Sequence, residues 1–248
     1  MKTSNPVFTS DAFIKPHHTT SGDIMTISGT INKSLFLFFL LLLSSLSTWL
    51  YLMMSHKFET VVLFSGVGMV STLILGLIAI FKPTSTPVTA PLYAVFEGFS
   101  LGSITTFLSL QYGGIALQAV SLTMGVALAM LASYKFGLIR VTEKFRAFVL
   151  VATGGIFLVY IARMILGLFG IAIPFIQGGL FGIAFSLIVI AVAALNLILN
   201  FDTIEHSAKH GAPGYMEWVG AFGLMVTLVW LYWEILRLLI ILRNGGDE

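Results

Sequence analysis

The chain has 248 residues, 57% of them hydrophobic and only 10% charged, with a formal net charge of +2 and a mean hydropathy of +0.98. So few charges cannot cover a soluble globule of this length, which points to an integral membrane protein with no room for a separate catalytic domain. The small net charge argues against a nucleic-acid partner. The absence of cysteine excludes disulfides and thiolate metal sites.

Residues 1–33 carry Lys2, Asp11, Lys15, Asp23 and Lys33, are rich in Ser and Thr, and show no extended apolar period. They read as a polar N-terminal arm, flexible or lying on the surface. The first apolar run opens only at Leu35, too late for a cleaved signal peptide, so a retained span is expected at 34–54. Further spans are expected at 60–81, 90–110, 114–133, 147–170, 179–201 and 217–240. Each is close to the roughly 20 residues that cross a hydrocarbon core. Continuous runs such as 35–43 argue against the alternation of a β-barrel, and helices satisfy their own backbone groups in lipid. The expected fold is all-α, a polytopic seven-transmembrane-helix bundle over 34–241 with a short polar tail at 242–248.

Short turns are expected at 55–59, 82–87 and 111–114, and a longer amphipathic connector at 134–146. Pro174 breaks the helix after the fifth span; residues 171–179 form either a surface loop, the favoured reading, or a re-entrant dip. Lys and Arg sort by loop. Lys2, Lys15, Lys33, Lys82, Lys135, Arg140, Lys144, Arg146 and Lys209 fall on the side of the N-terminus, against Lys57 and Arg243, or three with Arg237, on the other. The positive-inside rule then sets the N-terminus in the cytoplasm and the C-terminus outside, in the periplasm for a bacterial inner membrane.

Glu97, Arg163 and Glu234 fall inside apolar segments, with Asp202 and Glu217 at segment ends. A charge at the bilayer centre costs about 2.5–3.5 kcal/mol even on the lenient insertion scale, so each needs a partner, water or a proton. At 1.5 Å per residue Glu97 lies about 10 Å from the cytoplasmic edge, and Arg163 and Glu234 both lie about 24–26 Å from it. Arg163 and Glu234 are therefore candidates for an outer charge pair, with Arg237 as the local i+3 alternative for Glu234.

Asp202 descends to the cytoplasmic end, on the side of Glu97. Two approaching carboxylates take up a proton or a cation. Ca²⁺ is the hard ion their oxygens suit, held weakly and transiently with help from Asn196, Asn200 or Thr227. Asp202 and Glu205 also fit a capping box at the start of a short helix. His206 and His210 are i,i+4 neighbours without a third ligand, a weak zinc signal, and His206, Glu205 and Glu217 are expected to modulate Asp202 electrostatically. Gly220, Gly223, Thr227, Trp230, Glu234 and Arg237 form one stripe of the last span. Gly98 with Gly102, and Gly154 with Gly155, offer close helix packing.

These residues carry a resemblance. The segments Ser4-Asn-Pro-Val7, Met25-Thr-Ile-Ser-Gly-Thr-Ile-Asn-Lys33, Phe96-Glu-Gly98, Gly137-Leu-Ile-Arg-Val-Thr-Glu-Lys-Phe-Arg146, Phe201-Asp-Thr203, Gly211-Ala-Pro and Glu234-Ile-Leu-Arg237 are similar to those of the Bax inhibitor-1/YccA family, in its bacterial YccA-like branch. The resemblance implies a seven-helix fold around a central sixth or seventh helix. It also implies, from studied bacterial relatives, a pH-sensitive calcium leak. Asp202 matches the first acidic member of the family's paired-aspartate sensor, while Thr227 stands where the second aspartate usually sits. No Arg occurs between 60 and 81, where the family carries one. Thr cannot ionise, so Glu97 becomes the candidate replacement for the missing carboxylate.

The leading expectation is a pH-modulated cation leak, with Ca²⁺ as the expected ion and Asp202 and Glu97 as the responsive carboxylates. The alternative is a non-conducting interaction protein that modulates a membrane protease or stress response through residues 1–33. Some relatives are linked to a quality-control protease. No Gly-Xaa-Ser-Xaa-Gly elbow, His-Glu-Xaa-Xaa-His motif or phosphate loop points to an enzyme. No resident cofactor is expected, and the surrounding partners are membrane lipids.

Overall fold

The computed structural model describes residues 24–55, 58–170 and 179–244. Among them are seven α-helices: α1 (Ile27–Ser55), α2 (Phe58–Phe81), α3 (Thr86–Gln111), α4 (Ile115–Lys135), α5 (Glu143–Leu168), α6 (Gly179–Lys209) and α7 (Met216–Asn244). The N-terminal arm up to residue 23, Pro174 and the questioned stretch 171–178 lie outside the described residues. Six helices are long and apolar enough to cross a membrane, and the chain is a multi-pass membrane protein. The exception is α3.

That exception has a physical cause. α3 carries Glu97, Ser100, Ser103 and Thr106 on buried faces, and it packs against both α1 and α2. Ser44 on α1 donates to the Val95 carbonyl at 2.7 Å. A Cβ added at Gly98 would lie 2.6 Å from the Ser44 Cβ and 2.8 Å from the Leu41 carbonyl oxygen, and one at Gly102 would lie 2.8 Å from the Thr48 Cβ. On the other side, a Cβ at Gly68 of α2 would come within 2.7 Å of the Phe96 carbonyl. Glycine is required wherever helix backbones approach this closely. A helix face walled by other helices need not be apolar, so the mean hydropathy of α3 falls even though Leu92 and Leu110 remain exposed.

α1 shows the complementary pattern. Its buried stripe, Thr30, Ser34, Leu37, Leu41, Ser44, Thr48 and Leu52, repeats at three and four residues. Phe36, Phe39, Leu43, Leu46 and Leu50 are exposed. Thr30 and Ser34 bond the carbonyls one turn earlier, at 2.9 and 2.8 Å. Their hydroxyls are thereby satisfied without widening the helix.

The chain divides into two compact units. Among the described residues, the first holds 24–55, 58–116 and 202–225; the second holds 117–170, 179–201 and 226–244. α6 and α7 contribute to both. They are also the most enclosed of the six apolar helices, with 56% and 44% of their apolar windows buried against 28% or less elsewhere.

Several boundaries differ from expectation. α1 begins at Ile27 rather than 34, so the last part of the presumed arm is helical. The segment before it is held by an isolated antiparallel bridge between Ile24 and Pro213 and by the Met25 amide donating to Ala212 at 2.8 Å. The connector at 134–146 is shorter than read. Gly137 turns with φ of 67°, and the Thr142 side chain caps α5 by accepting from the Phe145 amide at 3.2 Å. α6 continues to Lys209, where Gly211 adopts φ of 67° and Ala212 donates back to the Ser207 carbonyl. This is the left-handed C-terminal stop that favours glycine.

Gly154 and Gly155 meet no heavy atom within 4 Å where a Cβ would stand, so the expected close contact is absent there. Substituting Gly98→Leu should destabilise the folded protein by about 1–3 kcal/mol or more through overpacking. Gly154→Ala should be neutral or stabilising by up to about 1 kcal/mol, because alanine favours the helix. Thermal unfolding of the two variants in lipid nanodiscs checks the contrast.

Candidate functional site

In the first unit, Glu97 is 7% exposed. It stands one turn beyond Tyr93, whose ring meets Phe222 of α7 edge-on with centroids 5.0 Å apart. Residues one turn apart share a helix face, so the Tyr93–Glu97 face of α3 is turned toward the start of α7. Asp202, on α6, is half-buried. Ile204, two residues further along, packs on the same stretch of α7: a Cβ added at Gly220 would lie 3.0 Å from Ile204 Cγ1. Both acidic residues therefore sit on helices that flank residues 216–225.

Asp202 and Glu205 lie inside an unbroken α6, so neither caps a helix. An N-cap requires a helix start with free amides, which is absent here. Glu205 instead pairs with Lys209 one turn on, at 2.5 Å. The His206 and His210 rings lie 3.9 Å apart, and His210 Nδ1 bonds the His206 carbonyl at 2.7 Å. Among the described residues no three His, Asp or Glu side chains gather as a metal shell. A cation near Asp202 or Glu97 would thus draw on hydroxyls, carbonyls and water as well.

Glu217 has a defined role. The Thr26 amide and hydroxyl both donate to its Oε1 at 2.8 Å, and the Lys33 ammonium pairs with Oε2. Lys33 also stands over the Trp218 ring, 5.4 Å from the centroid. The carboxylate lies so close over Gly29 that any side chain there would have to displace it. This lock ties the start of α1 to the start of α7, and Lys33 and Glu217 themselves line a cavity of about 630 Å³ with Ile24, Thr26, Pro87, Tyr215 and Trp218. Burial pushes the Tyr215 hydroxyl above its ordinary value, leaving it a neutral group at the cavity wall.

In the second unit, polar side chains of α5, α6 and α7 meet in pairs. Asn200 donates to the Thr227 hydroxyl at 2.8 Å, with both residues buried. Asn196 donates to the Thr153 hydroxyl at 2.8 Å and to the Val192 carbonyl at 2.9 Å. Further along lies an apolar cluster of Ile156, Val189 and Val192, packed by Ala152, Tyr160, Phe185 and Trp230.

Beyond that cluster the Tyr160 hydroxyl donates to Glu234 Oε1. Arg237 places a guanidinium nitrogen 3.6 Å from Glu234 Oε2 and 3.2 Å from the Tyr160 oxygen, with its charge over the Phe185 ring at 5.4 Å. The ion pair formed is thus the local one on α7. Arg163 attracts Glu234 only through space. A residue three positions along one helix is held at contact distance by the backbone itself, which gives Arg237 the advantage.

Sequence reasoning missed Tyr160, Thr153 and the Thr26–Gly29 platform under Glu217. Thr153 and Tyr160 are seven residues apart, a helical repeat that marks one face of α5. The platform carried no such signal, because its two halves are 191 residues apart.

A family model described as Bax inhibitor 1 like matches residues 5–244. No curated protein and no solved structure matches the chain.

Removing the Glu217 carboxylate leaves the Lys33 ammonium and the Thr26 amide without their acceptor. Glu217→Ala should lower stability by about 3 kcal/mol, the range for breaking a part-buried, charge-assisted pair. Gly29→Val, which displaces the same carboxylate sterically, should have a comparable effect. Thermal melts in which both variants match wild type would remove this lock from the account.

Proposed function

Because the chain belongs to the Bax inhibitor 1 like family, whose model covers residues 5–244, we propose that it is a pH-modulated cation leak of the cytoplasmic membrane, with calcium as its favoured ion. On this reading seven helices form a bundle of the Bax inhibitor-1 type. The N-terminus faces the cytoplasm, in keeping with the Lys and Arg of residues 2–33, 82, 135–146 and 209. Asp202 and Glu97 are the responsive carboxylates.

The observation that carries the proposal is the burial of Glu97 on α3, the long helix whose polar side chains are enclosed by other helices rather than lipid. An intramembrane carboxylate turned to the protein interior marks an ion or proton path by default. Ionised Asp202 and Glu97 attract a cation weakly enough to release it, and protonation removes that attraction. Flux therefore falls as the pH is lowered. Thr227, which the resemblance sets where a second aspartate usually stands, is hydrogen-bonded to Asn200 and carries no charge of its own.

In proteoliposomes loaded with a calcium indicator, Asp202→Asn and Glu97→Gln should each cut the flux roughly tenfold or more, equivalent to about 1.4 kcal/mol of barrier. Wild-type flux should also fall on acidification. Unchanged flux in both folded variants would contradict the assignment and favour the non-conducting reading, in which the chain modulates a membrane partner.

A further inference from the structure

Glu234 is 5% exposed, and its two oxygens have different surroundings. Oε1 accepts from the Tyr160 hydroxyl. Oε2 is fully buried and has no hydrogen-bond partner; Arg237 stands 3.6 Å from it, beyond hydrogen-bond reach. A carboxyl this deeply buried, with one oxygen beyond hydrogen-bond distance of its paired cation, carries a desolvation cost in the ionised form, and a group so placed commonly neutralises instead. Protonation on Oε2 breaks no hydrogen bond, because the Tyr160 hydroxyl donates to Oε1 in either state.

The charged and titratable groups facing Glu234 are few. Tyr160 and Arg163 come from α5 and Arg237 lies on α7 itself, where the Trp230 indole N–H is a further, uncharged donor beside the carboxyl. From α6 the contributing neighbour is the uncharged Phe185, which receives the Arg237 guanidinium on its ring. Arg237 is also bonded to the Tyr160 oxygen, so it keeps favourable contacts when the carboxyl is neutral. The Arg237 side chain is 19% exposed and gives the group its contact with the surroundings. On the opposite side, the Ile156–Val189–Val192 cluster separates it from the Asn196–Thr153 pair.

We propose that Glu234 is a second proton-binding site. Its Oε2 is the seat of the proton, Tyr160 is the positioning donor, and exchange occurs at the Arg237 end rather than through the apolar cluster. This goes beyond the Asp202–Glu97 reading and does not depend on it, since every residue in it belongs to the second unit.

The test is infrared difference spectroscopy of the purified protein in lipid nanodiscs, stepped from alkaline to acidic pH, reading the carbonyl band of a protonated buried carboxyl. The expected result is a band that is lost in Glu234→Gln, shifted in Tyr160→Phe, and retained in the Glu97→Gln/Asp202→Asn double variant. A difference spectrum unaltered by Glu234→Gln, or no such band in wild type, would overturn the proposal. Should Glu234→Gln fail to fold, Tyr160→Phe decides: it keeps the carboxyl and nearly all the volume, and an unshifted band there overturns the proposal as well.

Discussion

Everything in this structure follows from one constraint: inside a hydrocarbon solvent a polar atom finds its partner within the protein or carries an unrelieved desolvation cost of several kcal/mol. The hydroxyls of α1 meet that demand locally, bonding the carbonyl one turn back. The amides of α6 meet it across helices, with Asn196 on Thr153 and Asn200 on Thr227. Glu217 meets it with Thr26 and Lys33. Each solution fixes which face of a helix turns inward, so polar satisfaction orients the helices that apolar burial cannot distinguish in lipid.

Close backbone approach is what makes these partnerships reachable. Gly68, Gly98 and Gly102 let α2, α3 and α1 pack at distances where no side chain fits. That packing encloses α3 enough to carry a buried glutamate. Gly29 serves the same end differently, clearing space for a carboxylate instead of a helix. Structure and chemistry are linked at these positions: the same glycines that hold helices together also place ionisable groups away from lipid.

Much of this was legible in the sequence. The apolar runs located the six apolar helices to within a few residues, apart from the start of α1 and the end of α6, because a span of about 20 residues is a strong composition signal. Glu97 and Glu234 stood out because charge is rare in such runs. The i+3 spacing offered Arg237 to Glu234, but depth arithmetic favoured Arg163, since depth says nothing about the rotation of a helix about its axis. The capping pattern at Asp202 misled for a related reason: Asp followed by Glu at i+3 suits a helix start or an exposed helix interior equally, and only the continuity of α6 decides. Thr26, Gly29 and Lys33 were beyond sequence reasoning as partners of Glu217, because no local period joins positions so far apart.

The central claim is that the polar face of α3 looks into protein while its neighbours face lipid. With no native cysteine in the chain, single Ser103→Cys, Thr106→Cys, Leu92→Cys and Leu110→Cys variants carrying a spin label report this directly through collision with dissolved oxygen, which concentrates in the bilayer. Slow oxygen collision is expected at 103 and 106, which are 0% and 3% exposed, and fast collision at 92 and 110, which are 45% and 74% exposed. Collision as fast at 103 and 106 as at 110 would contradict the claim.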